Sequence, residues 1–116
     1  MASRSLNRVM IIGNVGEEPR LSSTNSGTPV CTFNVVTDRS WLPRGATERR
    51  EETQWHYVVS FNKLAEICSQ VLTKGTKVFI SGRIQNKELT NAKGETFKRT
   101  EIVASDMIAF DKRKDR

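Results

Sequence analysis

The sequence predicts a small all-β barrel of five strands, with one short helix between the third and fourth. Three observations carry that expectation. Apolar residues in several separate runs recur at every second position, as they do in half-buried strands. One stretch, Leu64, Ile67, Cys68, Val71 and Leu72, recurs instead at helical spacing. Turn signals separate the runs, leaving three strand-like segments before the helix and two after it.

Size and composition bound the rest. A chain of 116 residues makes one domain, large enough for a single core and too short for two. Hydrophobic content of 36% and charged content of 28% suit a soluble globular protein. A net charge of +6 favours a polyanionic partner, because clustered Lys and Arg attract phosphates, and that signal gains weight only beside aromatic residues. No apolar run approaches the roughly 20 residues needed to cross a bilayer. Residues 1–5 lead directly into strand-like sequence with no signal-peptide segment, so an intracellular protein is expected. Cys31 and Cys68 lie far apart among apolar neighbours and read as buried reduced thiols. With one His and no CxxC or HxxxH spacing, neither a metal site nor a cofactor is expected.

Residues 6–15 open the fold. Val9-Met10-Ile11-Ile12 is apolar on both faces of a strand, so the face turned from the core needs a cover, a helix or a subunit contact. Gly13 and Gly16 mark a bend or bulge, and Pro19 keeps the next segment out of a central strand. After the turn at residues 25–29, Cys31, Phe33 and Val35 alternate with polar residues in a second strand that ends near Asp38. Residues 39–52 read as a long charged loop carrying Trp41 with Arg39, Arg44, Arg49 and Arg50.

The third strand is the centre of the chain. Trp55, Tyr57, Val59 and Phe61 fall on one face, and His56, Val58 and Ser60 on the other. Rings so concentrated are either a buried core or a platform for flat ligands. The helix follows, with Asn62 as its expected N-cap and Lys74-Gly75 as its stop. Val78, Ile80 and Ile84 form a fourth strand with a bulge or close approach at Gly82, and Phe79 points away from a single core. Residues 85–99 read as a polar hairpin turning at 91–94, and residues 100–110 complete a fifth strand. Residues 111–116 hold no core positions and form a short basic end beyond a domain spanning 1–110.

Strands and helix in this order match the OB-fold, a five-stranded barrel that binds oligonucleotides through one face and its loops. The aromatic strand and the basic segments 39–50 and 87–99 together offer what unpaired nucleic acid needs, rings for bases and cations for phosphates.

Separate motifs then carry a resemblance. Leu6-Asn7-Arg8-Val9, Gly13-Asn14-Val15-Gly16, Thr53-Gln54-Trp55-His56, Phe61-Asn62-Lys63-Leu64-Ala65-Glu66, Val78-Phe79-Ile80-Ser81-Gly82-Arg83 and Thr100-Glu101-Ile102 occur in order across residues 6–110. In these the chain resembles the bacterial and mitochondrial single-stranded DNA-binding proteins. The resemblance implies a homotetrameric OB-fold that wraps single-stranded DNA without strong sequence preference in replication, recombination and repair. It also implies a place in the cytoplasm with the nucleoid or, alternatively, in the mitochondrial matrix.

Trp41, Trp55 and Phe61 match the family's base-stacking aromatics. Leu89 stands where the family usually has a fourth, so a loss of about 1–3 kcal/mol per subunit is expected there. Tyr57 stands where bacterial relatives often carry Arg, exchanging a phosphate contact for a stacking surface. The expected phosphate contacts are Arg4, Arg8, Arg44, Arg49, Arg50, Lys63, Lys74, Lys87 and Lys98. The family's first strands pair between subunits and its sheet faces pack dimers into tetramers, which would cover Met10 or Ile12 and Phe79. His56 is expected to be structural. Bacterial members usually end in an acidic tail that recruits replication and repair proteins, whereas this sequence ends in mostly basic charge, so such partners are not expected to be recruited.

Rival readings are an OB-fold replication-restart or RNA-binding protein and a small-barrel nuclease. A nuclease needs clustered carboxylates around a metal. Asp38, Glu51, Glu52 and Glu66 are scattered in the sequence, so no enzymatic activity is expected.

Overall fold

The computed structural model describes residues 4–110, so the basic end at 111–116 lies outside the described residues. The elements are β1 (Val9–Val15), β2 (Arg20–Ser23), β3 (Pro29–Trp41), β4 (Arg50–Phe61), α1 (Asn62–Val71), β5 (Lys77–Thr90) and β6 (Thr96–Ala109). The strand order is β1-β5-β6-β4-β3-β2, and a further pairing of β1 with β3 closes β1, β5, β6, β4 and β3 into the expected five-stranded barrel. Closure happens where β1 changes partner. Its residues Val9 to Asn14 pair with β5, and Asn14 and Val15 pair with β3. Gly13 makes that crossing possible, because a Cβ there would lie 2.3 Å from the Val36 carbonyl oxygen.

Val15, Phe33, Val35, Val58, Val78, Ile80 and Ile102 fill the barrel from its strands. Ala65 and Cys68 of α1, with Leu72 at its C-cap, recur at three and four residues and pack into the same core. Burial of Leu72, which is wholly inaccessible, contributes about 2–3 kcal/mol of transfer free energy. Cys31 and Cys68 are both buried and not joined by a disulfide, in agreement with the sequence.

Several local expectations are corrected. Residues 20–23 form a short strand, β2, because an exposed edge strand asks only for backbone pairing with β3 and not for alternation. β3 runs three residues past Asp38 to Trp41, and its ladder with β4 is unbroken from Val30↔Phe61 to Trp41↔Arg50. The expected loop from 39 to 52 is therefore only residues 42–49, at the tip of a ribbon that projects from the barrel. The N-cap of α1 is Phe61, with no side-chain capping bond, while Asn62 takes the left-handed conformation (φ 59°) that Asn tolerates better than most residues.

The β5–β6 hairpin extends to a turn at 91–94, as expected, and its register shifts at Ser81/Gly82, the bulge the sequence marks. The outward face of β1, β5 and β6 carries a row, Ile12↔Phe79↔Ile108, flanked by Met10 and Phe110. Ile12, Ile108, Met10 and Phe110 are all more than half exposed, so this apolar face has no cover within one chain.

Candidate nucleic-acid interface

The outer face of the barrel on the β4 side is continuous across five strands. Cross-strand partners share a face, so the register assigns it directly. β4 contributes Phe61, Val59, Tyr57 and Trp55, and β3 contributes Val30, Thr32, Asn34 and Val36 beside them. On one side Arg20 and Ser22 of β2 adjoin Thr32 and Val30. On the other, Val59 meets Val103 of β6, which places Glu101, Arg99 and Phe97 on the same face, opposite Gln85, Lys87 and Leu89 of β5. A groove of about 860 Å³ runs over this face, with Arg20, Tyr57, Phe61, Lys87, Arg99 and Glu101 among its lining.

Each ring on this face is held differently. Trp55 is 56% exposed, yet the benzo edge of its indole lies beside Gly16, where a Cβ would lie 2.3 Å from Cζ3. The ring is thus held at one edge while more than half of the side chain stays open to solvent. Tyr57 lies beneath Arg99, whose guanidinium carbon is 4.0 Å from the ring centroid. Arg99 in turn donates from Nε and Nη2 to Glu101 Oε2 at 3.2 and 2.9 Å. Gln85 Nε2 donates to the other oxygen of Glu101 at 3.4 Å. Glu101 is almost wholly buried, and these partners are what allow its charge to remain there. Phe61, 38% exposed, ends the row where β4 passes into α1.

Trp41 stands apart from this row. The unbroken β3–β4 ladder pairs it with Arg50 and pairs Trp55 with Val36, so the two indoles project from opposite faces of one ribbon. Arg39 lies over Trp41 at 4.2 Å and bridges to Glu52 at 3.2 Å. Arg49 donates from Nε to Ser40 Oγ at 3.0 Å, and Arg44 is exposed in the connecting turn. The tip of the ribbon is therefore a second site at which rings and cations meet.

The remaining predicted cations are dispersed. Lys87 is in the groove, while Lys98, one residue out of phase with Arg99, lies across the ladder from Glu88 and outside the groove lining. Arg4 and Arg8 precede β1, and Arg8 donates to Ser81 Oγ at 3.4 Å. Lys63 lies exposed in the first turn of α1, and Lys74 lies beyond its end, where its backbone N–H donates to Glu18. Leu89 is half-buried and faces Phe97 directly. Sequence reasoning missed Arg20, Arg99 and Phe97. The charge of Arg20 and Arg99 was visible, but their face depends on pairing partners.

His56 Nε2 is hydrogen-bonded to Thr37 Oγ1 at 2.8 Å, a satisfied position away from the groove. Among the described residues no group of three or more His, Cys, Asp and Glu is placed to hold a metal ion. No described helix is long and apolar enough to cross a membrane.

Comparison with known proteins agrees with the geometry. The solved structure of a Plasmodium falciparum SSB in complex with ssDNA is similar to this chain at 31% identity with a TM-score of 0.84. The similarity covers 96% of this chain and all of that one. The model of the single-strand binding protein family matches residues 6–110. The chain belongs to the single-strand binding protein family.

Proposed function

We propose that this protein binds single-stranded DNA without reading its sequence. The observation that carries the reading is the row Trp55, Tyr57 and Phe61 at alternate positions of β4, opening into a groove lined by Arg20, Lys87 and Arg99. Every base has a π-face, so stacking on these rings tolerates any sequence, and cations beside them track the phosphates. Trp41 with Arg39 and Arg50 supplies a further stacking point at the ribbon tip. The relative's complex with ssDNA supports the same partner. Protection of unpaired DNA in replication, recombination and repair follows as the role, with no chemistry on the DNA; cleavage of a labelled oligonucleotide with added magnesium would contradict that last point.

The uncovered row Ile12, Phe79 and Ile108, with Met10 and Phe110, supports assembly into a homotetramer. Sedimentation of the parent as a tetramer, and of Ile12→Asp as a smaller species, is the expected result.

Titration of intrinsic tryptophan fluorescence with oligo-dT and with duplex DNA tests the binding reading. Quenching by oligo-dT that persists at raised salt, with little response to duplex, is expected. Equal responses that salt erases would reduce the face to a merely basic surface.

A further inference from the structure

The hairpin end of the groove face carries a ring that the row on β4 does not account for. Phe97 is 49% exposed, on the last rung but one of the β5–β6 ladder, directly opposite Leu89. An exposed phenyl near the tip of a projecting hairpin contributes little to the fold. Register assigns its face. Phe97, Arg99 and Glu101 alternate on β6, as Leu89, Lys87 and Gln85 alternate on β5, and Lys87, Arg99, Glu101 and Gln85 all line the groove. Phe97 and Leu89 therefore extend that surface by one further cross-strand row, two residues or about 7 Å beyond the Lys87–Arg99 row. That step matches the reach between successive stretched nucleotides, and the cations of the preceding row stand where the intervening phosphate would pass.

Resting on the single-stranded DNA reading above, we infer that Phe97 is a base-stacking residue, with Leu89 as the apolar floor beside it, and that the hairpin thus adds one more base position to the groove. The ring sits on β6 rather than at position 89 of β5, across one ladder rung, so the expected loss of stacking at Leu89 is offset by its partner. Glu95, two residues before Phe97 in the turn, accepts a hydrogen bond from Asn91 Nδ2 at 2.9 Å and so is held to the hairpin's own tip.

The test compares the parent with Phe97→Ala, Phe97→Tyr and Phe97→Trp by fluorescence titration with oligo-dT long enough to cover the hairpin. Removal of the ring is expected to weaken binding by about five- to hundred-fold, with Phe97→Tyr restoring it, and with melting temperature and sedimentation unchanged. Phe97→Trp is expected to add emission that oligo-dT quenches. Parent-like affinity in Phe97→Ala, or added tryptophan emission that DNA leaves unchanged, would overturn the inference while leaving the groove reading intact. So would a smaller assembly in Phe97→Ala, since Phe97 would then be a contact between copies. A parent that fails to bind oligo-dT would instead bring down the proposed function itself.

Discussion

Arg99 lies 4.0 Å over the ring of Tyr57 while two of its nitrogens donate to a single oxygen of Glu101. A buried carboxylate on one strand thereby sets the height of a cation above a ring on another. Arg99→Ala is expected to lower the salt slope of DNA binding by about one and to weaken binding at low salt more than at high salt. Glu101→Ala is expected to cost about 1–3 kcal/mol of stability in urea titration, since Gln85 and Arg99 lose their acceptor; the partial exposure of Arg99 keeps the figure below that of a fully buried pair.

Gly16 never faces the groove, yet it supports Trp55. Gly16→Ala puts a methyl group where the edge of the indole lies, and the ring, being exposed, yields by tilting. Affinity for oligo-dT is expected to fall by a share of the roughly 1–3 kcal/mol that a base stack is worth, with a shift in tryptophan emission of the unliganded protein. Unchanged emission and affinity would mean that the support is immaterial.

Lys87 and Lys98 separate by face. Lys87→Ala is expected to reduce both affinity and salt slope, the latter by about one, whereas Lys98→Ala, outside the groove lining, leaves the slope as in the parent. Filter-binding over a salt series reads both.

Leu72 is wholly buried between α1 and the barrel. Leu72→Ala is expected to cost about 2–5 kcal/mol, measured as a lower midpoint in urea with little change in slope.

Burial raises the thiol of Cys68 above its ordinary value of 9.0, against a smaller opposing effect from its hydrogen bond with Ser60. The folded state thus favours the protonated thiol. Its contribution to stability is complete at neutral pH and is lost as pH rises from 9.0 toward the raised folded value, because the unfolded thiol ionises first. Cys68→Ala is expected to flatten that alkaline decline, and thiol-directed alkylation of the native protein at neutral pH is expected to be slow at this position.

Much of this was legible in residue order. The two-residue period of β4 shows which side chains share the outer face, and the three- and four-residue spacing of Leu64, Cys68, Val71 and Leu72 marks the core side of α1, although Ile67 of the same expected stripe is exposed. What escaped depends on partners. β2 is four exposed residues that become a strand only because β3 lies beside them. Arg39, Ser40 and Trp41 read as loop because nothing buries them, yet β4 holds them in ladder. Whether Lys98 or Arg99 enters the groove turns on the register beyond the bulge at Ser81/Gly82, which no single strand reveals.

The opposed indoles of Trp41 and Trp55 carry a consequence for selectivity. A polymer that engages both must turn around the edge of a ribbon two strands wide. Double helix is stiff over about 150 base pairs and cannot follow so tight a path, whereas an unpaired strand swivels at every nucleotide. On the proposed reading, a ligand too rigid to curl would be refused one of the two rings, so flexibility would discriminate before any base is touched.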